Sequence, residues 1–205
     1  MPVIDGASGR GQSLAMTTII GVSGSLRRGS FNTALLRAAA AVTPAGAELS
    51  IATIRDVPLY DGDLEEREGI PAAVAALKDA IAAADGLLIA TPEYNNSIPG
   101  VLKNAVDWLS RPPADIGRVF RRKAVAVMGA SAGGFGTILA QDAWLPVLRA
   151  LGTRPWCEGR LLVARAQTVF GPDGALADER VKEQLGQFVR GFVAFASDRG
   201  RRSTT

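Results

Sequence analysis

The residues best suited to binding an anion follow the first predicted strand of this 205-residue chain. A β-rich run, 17–22, leads into a glycine- and hydroxyl-rich segment, 24–33, and then into an Ala- and Leu-rich helix that we predict over about 31–42. Glycine lets the backbone approach a ligand closely, and a helix N-terminus presents free N–H groups with partial positive charge. The side-chain donors here are Ser25, Arg27, Ser30, Asn32 and Thr33. They predict a site for a terminal phosphate, although an ordinary capped helix start has a similar pattern. The segment is not a Walker loop, because no Gly-Lys-Ser/Thr ends it, and its glycine spacing does not match the dinucleotide fingerprint.

A second polar loop follows the apolar run 87–90, which is typical of a strand buried on both faces of a parallel sheet. Pro92 ends this run because it cannot donate to a sheet ladder. Tyr94 could lie against a flat heterocycle, and Asn95 and Asn96 offer both donors and acceptors. An ordinary turn also favours Asn at these positions, so the residues leave both interpretations open. Ser97 is the predicted N-cap of the following helix.

A third glycine-rich loop, 130–137, follows the apolar run 123–129. One such loop is weak evidence for a ligand site. Three loops that each follow a predicted strand are stronger evidence, because the carboxyl ends of consecutive parallel strands meet at one edge of the sheet. The sequence therefore predicts a ligand site at that edge.

Several kinds of chemistry are excluded by composition. The chain has no histidine and a single cysteine, Cys157, which removes Ser-His-Asp and Cys-His catalysis, most zinc sites and any intrachain disulfide. We expect Cys157 to be a small buried hydrophobe. A phosphatase nucleophile would need an anion-binding loop between Cys157 and a following arginine, and Arg160 is too close for one. If the protein is an enzyme, its chemistry belongs to a cofactor, with no protein-bound metal.

Charge and hydropathy narrow the class of partner. The net charge is +3, and arginines concentrate in 118–122 and in 199–202. No aromatic interleaving accompanies them, so we predict solvated surface and no nucleic-acid partner. No run of about 18 apolar residues predicts a membrane span, and no signal peptide is recognisable, so we expect no membrane partner and a cytoplasmic location.

The chain reads as one α/β domain over 17–198, between a flexible N-terminal extension, 1–16, and a flexible basic tail, 199–205. The other predicted elements are a strand at 48–54, a loop at 57–68, a helix at 71–84, a helix ending at Leu151 that Pro146 kinks or interrupts, a strand at 161–164, a turn at 171–174 and a helix at 178–197.

Three motifs together resemble the NADPH-dependent FMN reductase family, which includes quinone, chromate and azo-dye reductases. They lie at 24–32, 91–100 and 129–134, and the similarity extends over about 17–198. The resemblance implies a flavodoxin-like three-layer sandwich in which a five-stranded parallel sheet of order 2-1-3-4-5 has helices on both faces. It also implies bound FMN and NADPH or NADH as co-substrate.

The resemblance further implies which residues bind FMN. The phosphate would be held by Ser25, Arg27, Ser30, Phe31, Asn32 and Thr33; the ring would be lined by Pro92, Glu93, Tyr94, Asn95 and Asn96; and Ser131, Gly133 and Gly134 would close the third side. Family members are homodimers or homotetramers, with the helix matching 101–110 often at the contact and Trp108 a candidate anchor. Pro146 departs from the family's pattern.

The expected activity is hydride transfer from NAD(P)H through FMN to a small-molecule acceptor, such as a quinone, chromate, an azo compound or free flavin, by a ping-pong mechanism. This chemistry requires no catalytic side chain. Arg111 follows the helix after the second loop and is a candidate contact for an anionic acceptor. The alternative function is a flavin-binding electron carrier or redox sensor without turnover.

Overall fold

The computed structural model describes residues 16–198. The predicted tail, 199–205, and all of the predicted extension except Met16 lie outside the described residues. The strands are β1 (Thr17–Ser23), β2 (Ala47–Ala52), β3 (Gly86–Ala90), β4 (Ala124–Ala130), β5 (Arg154–Pro155) and β6 (Leu162–Val163). The helices are α1 (Phe31–Ala41), α2 (Gly62–Glu68), α3 (Ala72–Ala83), α4 (Gly100–Leu109), α5 (Ile116–Val119), α6 (Ile138–Ala150), α7 (Ala166–Val169) and α8 (Glu179–Ser197).

The sheet has the order β2-β1-β3-β4-β5, with every pairing parallel, and β6 pairs with the end of β4. The predicted order 2-1-3-4-5 is confirmed. Every residue of β3 is buried, as its continuous apolar sequence predicts for a central parallel strand. The sheet therefore directs the loops that follow β1, β3 and β4 to the same edge.

Helices cover both faces of the sheet and bury one apolar core on each. One core includes side chains of α1 and α8, and the other includes side chains of α3, α4 and α6. The predicted helix at 178–197 is α8, and its apolar residues Leu185, Phe188 and Phe192, spaced three and four apart, are all buried. Asp178 begins this helix by accepting a hydrogen bond from the Val181 N–H at 2.9 Å.

The outer strand differs from the prediction of one strand at 161–164. β5 pairs with the start of β4 for two residues, the chain leaves the sheet, and β6 returns to pair with Gly129 and Ala130. The predicted loop at 57–68 contains α2, whose N-cap is Asp61. Pro146 lies inside α6 and does not end it. Gly152, which follows the C-cap residue Leu151 of α6, adopts the left-handed conformation at φ 69°, as expected just beyond a helix end.

Three side chains occupy different environments from those expected. Cys157 is exposed, not buried. Trp108 is completely buried and donates its Nε1–H to the Pro58 carbonyl at 3.0 Å, so it is a core residue and not an anchor at a subunit contact. The Arg111 guanidinium lies 5.3 Å from the centre of the Tyr60 ring.

Candidate functional site

The three loops meet around one cavity of about 370 Å³ at the carboxyl edge of the sheet. Its lining contains eleven of the fourteen predicted site residues: Ser25, Arg27, Ser30, Phe31, Asn32, Pro92, Glu93, Tyr94, Ser131, Gly133 and Gly134. Thr33, Asn95 and Asn96 are not in this lining, and neither is Arg111. Ala130, Ala132, Phe135 and Gly136 complete the wall without having been predicted.

The first wall is the loop between β1 and α1. Ser30 is the N-cap of α1, and its hydroxyl accepts a hydrogen bond from the Thr33 N–H at 3.2 Å. The N–H groups of Phe31 and Asn32 belong to the first helical turn and have no partner within the helix. With the exposed Arg27 beside them, these donors form an arrangement suited to a phosphate group.

Two residues of this wall keep the backbone in position. A Cβ at Gly24 would lie 2.9 Å from both Leu102 Cδ2 and Pro92 Cδ, so glycine allows the first loop to pack closely against the second. The Thr33 hydroxyl donates to Ser23 Oγ at 2.9 Å and thereby ties the first turn of α1 to the end of β1.

Asn32 connects the first wall to the third. Its Nδ2 donates to the Ala130 carbonyl, and its Oδ1 accepts from the Ala130 N–H, both at 2.9 Å. Asn32 and Ala130 are 3% and 2% exposed. The side chain therefore joins two loops that are 98 residues apart in sequence.

The second wall contains a tight turn. Tyr94 and Ser97 exchange two backbone hydrogen bonds, of 3.2 and 3.0 Å, across Asn95 and Asn96. Asn95 and Asn96 both adopt positive φ angles, 50° and 60°. A two-residue turn with two positive φ angles favours Asn, so the structure supports the turn-forming interpretation of this pair. Ser97 is part of the turn and is not the N-cap of α4, which is Pro99.

Glu93 links the second wall to α6. Its Oε2 accepts hydrogen bonds from the N–H groups of Leu139 and Ala140, at 2.8 and 3.0 Å. These are among the first N–H groups of α6, where Thr137 makes no side-chain cap. The carboxylate therefore compensates the partial positive charge of the helix start and holds the loop in place.

The third wall is the glycine-rich loop after β4. Its ends are joined by a hydrogen bond from the Ser131 hydroxyl to the Gly136 carbonyl at 2.5 Å. A Cβ at Gly129 would overlap Thr137 Oγ1 and the Thr91 carbonyl oxygen, so only glycine fits there. The Phe135 side chain is 84% exposed although it lines the cavity.

The lining contains Arg27, Glu93 and Tyr94 as its titratable residues. Because Glu93 is engaged with α6, the wall presents one cationic group and no carboxylate positioned as a general base.

Residues 16–198 contain no group of three or more His, Cys, Asp or Glu that could hold a metal ion. The same residues form no helix long and apolar enough to cross a membrane. Hydroxyl, amide and guanidinium donors around an open cavity fit a phosphorylated cofactor such as FMN. The cavity volume of about 370 Å³ lies within the range of ordinary cofactor sites.

Sequence comparison identifies the family. The profile of the NADPH-dependent FMN reductase family matches residues 17–168. The chain belongs to this family. It is 43% identical to an NAD(P)H-dependent FMN reductase of Pseudomonas aeruginosa over 82% of this chain and 89% of that protein. It is 37% identical to a 2-hydroxy-1,4-benzoquinone reductase of a Burkholderia species over 87% of this chain and 95% of that protein.

Structural comparison agrees with the family assignment. The flavoenzyme NAD(P)H:acceptor oxidoreductase FerB from Paracoccus denitrificans superposes with a TM-score of 0.80 at 33% identity, over 90% of this chain and 99% of that one. The predictions of a flavodoxin-like fold, an oxidoreductase and an FMN cofactor with NAD(P)H as co-substrate are confirmed.

Two features of the site could not be found from residue types alone. Phe135 stood within a glycine-rich run, and nothing in that run indicates that its ring faces solvent at the cavity. Glu93 gave no signal of its contact with α6, because its partners are backbone groups 46 and 47 residues away. The exposure of Phe135 and the anchoring of Glu93 both depend on how the loops pack.

Proposed function

We propose that this protein is a reductase that uses NAD(P)H and FMN to reduce small planar acceptors, with quinones as the preferred class. The observation that carries the proposal is the convergence of three loops on one cavity, with a helix start and Arg27 at one wall and glycine-rich backbone at another. The relatives named as a benzoquinone reductase and an NAD(P)H:acceptor oxidoreductase support the acceptor class.

In this proposal the first wall holds the FMN phosphate. Arg27 supplies a charge-assisted hydrogen bond, Ser25 and Ser30 supply hydroxyls, and the first-turn N–H groups of Phe31 and Asn32 complete the set. The two hydrogen bonds between the Asn32 side chain and Ala130 hold the Asn32 N–H group in place. Thr33 contributes by fixing Ser23.

The isoalloxazine ring is proposed to lie between the second and third walls. Pro92, Glu93 and Tyr94 border it on one side, and the backbone of Ser131, Gly133 and Gly134 borders it on the other. Asn95 and Asn96 have an indirect role, because their turn sets the position of Tyr94.

FMN, when bound, supplies the capacity to accept a hydride from the nicotinamide and to pass reducing equivalents to an acceptor. The protein's residues bind and orient the reactants, and none is required to move a proton. Tyr94 is 49% exposed and Phe135 is 84% exposed, so two aromatic rings are available at the mouth to contact a flat molecule. Donor and acceptor would use this mouth in turn, which gives a ping-pong rate law.

We also propose a homodimer or homotetramer in the cytoplasm. Val101 on α4 and Leu139 and Leu145 on α6 are exposed apolar residues at 39%, 45% and 45%, which supports a subunit contact formed by these two helices. Light scattering of the purified protein tests the assembly, and a monomer at micromolar concentration would contradict it.

An anaerobic visible spectrum tests the function. FMN is added to the purified protein, the excess is removed, NADPH or NADH is added, and a benzoquinone follows. We expect a bound-flavin spectrum that NAD(P)H bleaches and the quinone restores, with parallel lines in initial-rate plots against both substrates. A bound flavin that NAD(P)H does not bleach would instead support the carrier or sensor, and failure to bind FMN would refute the assigned site. Chromate, an azo dye and free FMN, tested in place of the quinone, rank the acceptors.

A further inference from the structure

A second polar cleft lies at the amino edge of the sheet, at the opposite ends of the strands from the cofactor cavity. It encloses about 200 Å³. Five of its eight lining residues are cationic: Arg118, Arg121, Arg122, Lys123 and Arg154. All lining residues belong to the described range 16–198, and Asp85 is the one acidic residue among them. The Asp85 carboxylate accepts a hydrogen bond from the Thr18 N–H at 2.9 Å.

Three of these cations have structural partners. The Lys123 ammonium donates to the Ala82 and Ala84 carbonyls at the end of α3, and Arg154 donates to the Phe195 carbonyl near the end of α8 at 2.9 Å. Such contacts compensate the partial negative charge of helix ends. Arg118 forms ion pairs with Asp79 and Asp115, at 2.6 and 3.6 Å. Stabilisation of the fold accounts for these contacts.

The remaining positive charge has no such explanation. Arg121 and Arg122 are exposed, and their side chains form no hydrogen bond or ion pair with any residue in 16–198. The Arg154 Nε is buried without a hydrogen-bond partner in that part of the chain, and the guanidinium lies 4.3 Å from the centre of the Phe195 ring. Burial lowers the pKa of the Lys123 ammonium, which is the expected response of a cation that has lost water without gaining a full counter-charge.

The backbone holds the two unpaired arginines in defined positions. The Arg122 N–H donates to the Gly152 carbonyl at 2.7 Å, and Arg122 adopts a left-handed φ of 59°. The Arg121 N–H donates to the Ile116 carbonyl at 3.2 Å. Two neighbouring guanidinium groups are thus carried on a fixed turn at the rim of the cleft.

We propose that this cleft binds a compact phosphate anion with two or more negative charges, such as pyrophosphate or the terminal diphosphate of a larger molecule. The cleft volume of about 200 Å³ is large enough for a compact anion of two phosphate groups. Planar guanidinium groups match phosphate oxygens in pairs of hydrogen bonds. The seven residues of β4 separate the cleft from the cofactor cavity by roughly 20 Å, so one phosphate cannot occupy both. A lipid headgroup has the same chemistry, but docking this edge on a membrane would turn the cofactor cavity away from the lipid.

Isothermal titration of the full-length, FMN-saturated protein with inorganic pyrophosphate tests the proposal. Saturation with FMN prevents binding in the first wall of the cofactor cavity. The cleft variant combines Arg121→Gln with Arg122→Asn, because Asn tolerates a left-handed φ. The control combines Arg180→Gln with Arg190→Gln, which removes the same charge from exposed positions on α8.

We expect the cleft variant to bind pyrophosphate at least about tenfold more weakly than the natural protein, and the control to stay within about twofold. Equal weakening in both variants would mean that net charge alone attracts the anion and would overturn the site. Absence of binding by the natural protein at millimolar pyrophosphate would do the same. Cosedimentation with phosphatidylglycerol vesicles, lost in the cleft variant and accompanied by no pyrophosphate binding, would identify a membrane surface instead.

Discussion

Replacement of Asn32 by alanine tests whether one side chain holds two walls of the cavity together. The substitution removes both partners of Ala130 and leaves its N–H and C=O groups, 2% exposed in the native protein, without hydrogen bonds. Each of these two unsatisfied buried groups costs about 1–3 kcal/mol, so we expect the free energy of unfolding to fall by about 2–6 kcal/mol. A domain with about 5–15 kcal/mol of stability would remain folded in most of that range.

The same substitution should weaken FMN binding, because the first-turn N–H groups and the third wall would no longer share a fixed position. Urea unfolding followed by circular dichroism measures the stability change, and quenching of FMN fluorescence measures affinity. Asn104→Ala is the matched control, since Asn104 accepts from the Tyr60 N–H and donates to the Pro58 carbonyl, both at 2.8 Å, outside the cavity. It should lose stability and keep its FMN affinity. The reasoning is refuted if Asn32→Ala changes stability by less than about 0.5 kcal/mol, or if both variants lose FMN affinity equally.

Three further changes have expected outcomes. Arg27→Ala should weaken FMN binding by about 10- to 100-fold and leave riboflavin binding unchanged, because only the phosphate contact is lost; fluorescence titration with both flavins distinguishes this from a general loss of the site. Gly129→Ala should lower the unfolding free energy by about 3 kcal/mol, since the new Cβ overlaps Thr137, and an unchanged urea midpoint would contradict the close packing. The hydrogen bond from the Lys78 ammonium holds the pKa of the Asp115 carboxyl below its usual 3.8. The contribution of this interaction to the free energy of unfolding is therefore fully present above that value and is lost as pH falls through the folded-state pKa. Urea midpoints of Asp115→Asn and the natural protein should therefore differ most near pH 7 and converge as pH falls below about 4.

The sheet and its largest helices could be predicted because their signals lie within short segments. The continuous apolar sequence of β3 indicates burial on both faces, and the spacing of apolar residues in α8 indicates one buried stripe. The outer strand was wrongly predicted as one segment. It is divided into β5 and β6, because β5 pairs with the start of β4 and β6 with its end, and these long-range pairings leave no signal in the local sequence. Trp108 was wrongly assigned to a surface, since its burial depends on contacts with a loop 50 residues away.

The site was predicted less completely than the fold. The three loops were located correctly, because the carboxyl ends of parallel strands share an edge. The detailed roles of their residues were not accessible from the sequence: Asn32 and Glu93 contact backbone groups on distant segments, and no residue pattern signals such a contact. The sequence allows Asn95 to be a ligand contact or a turn residue, and its φ of 50° is the conformation that the turn requires.

The anchoring of the cavity walls also bears on how this protein can change during evolution. Asn32, Glu93 and Gly129 hold the loops through buried bonds or close packing, so their substitution endangers folding. Tyr94 and Phe135 border the same cavity. About half of Tyr94 and most of Phe135 are exposed to solvent, so few packing contacts depend on these two side chains. Mutations at these two aromatic positions can therefore accumulate at little thermodynamic cost. In the proposed function, exchange of these two rings alters the range of accepted molecules, while Asn32, Glu93 and Gly129 keep the walls of the cavity in place.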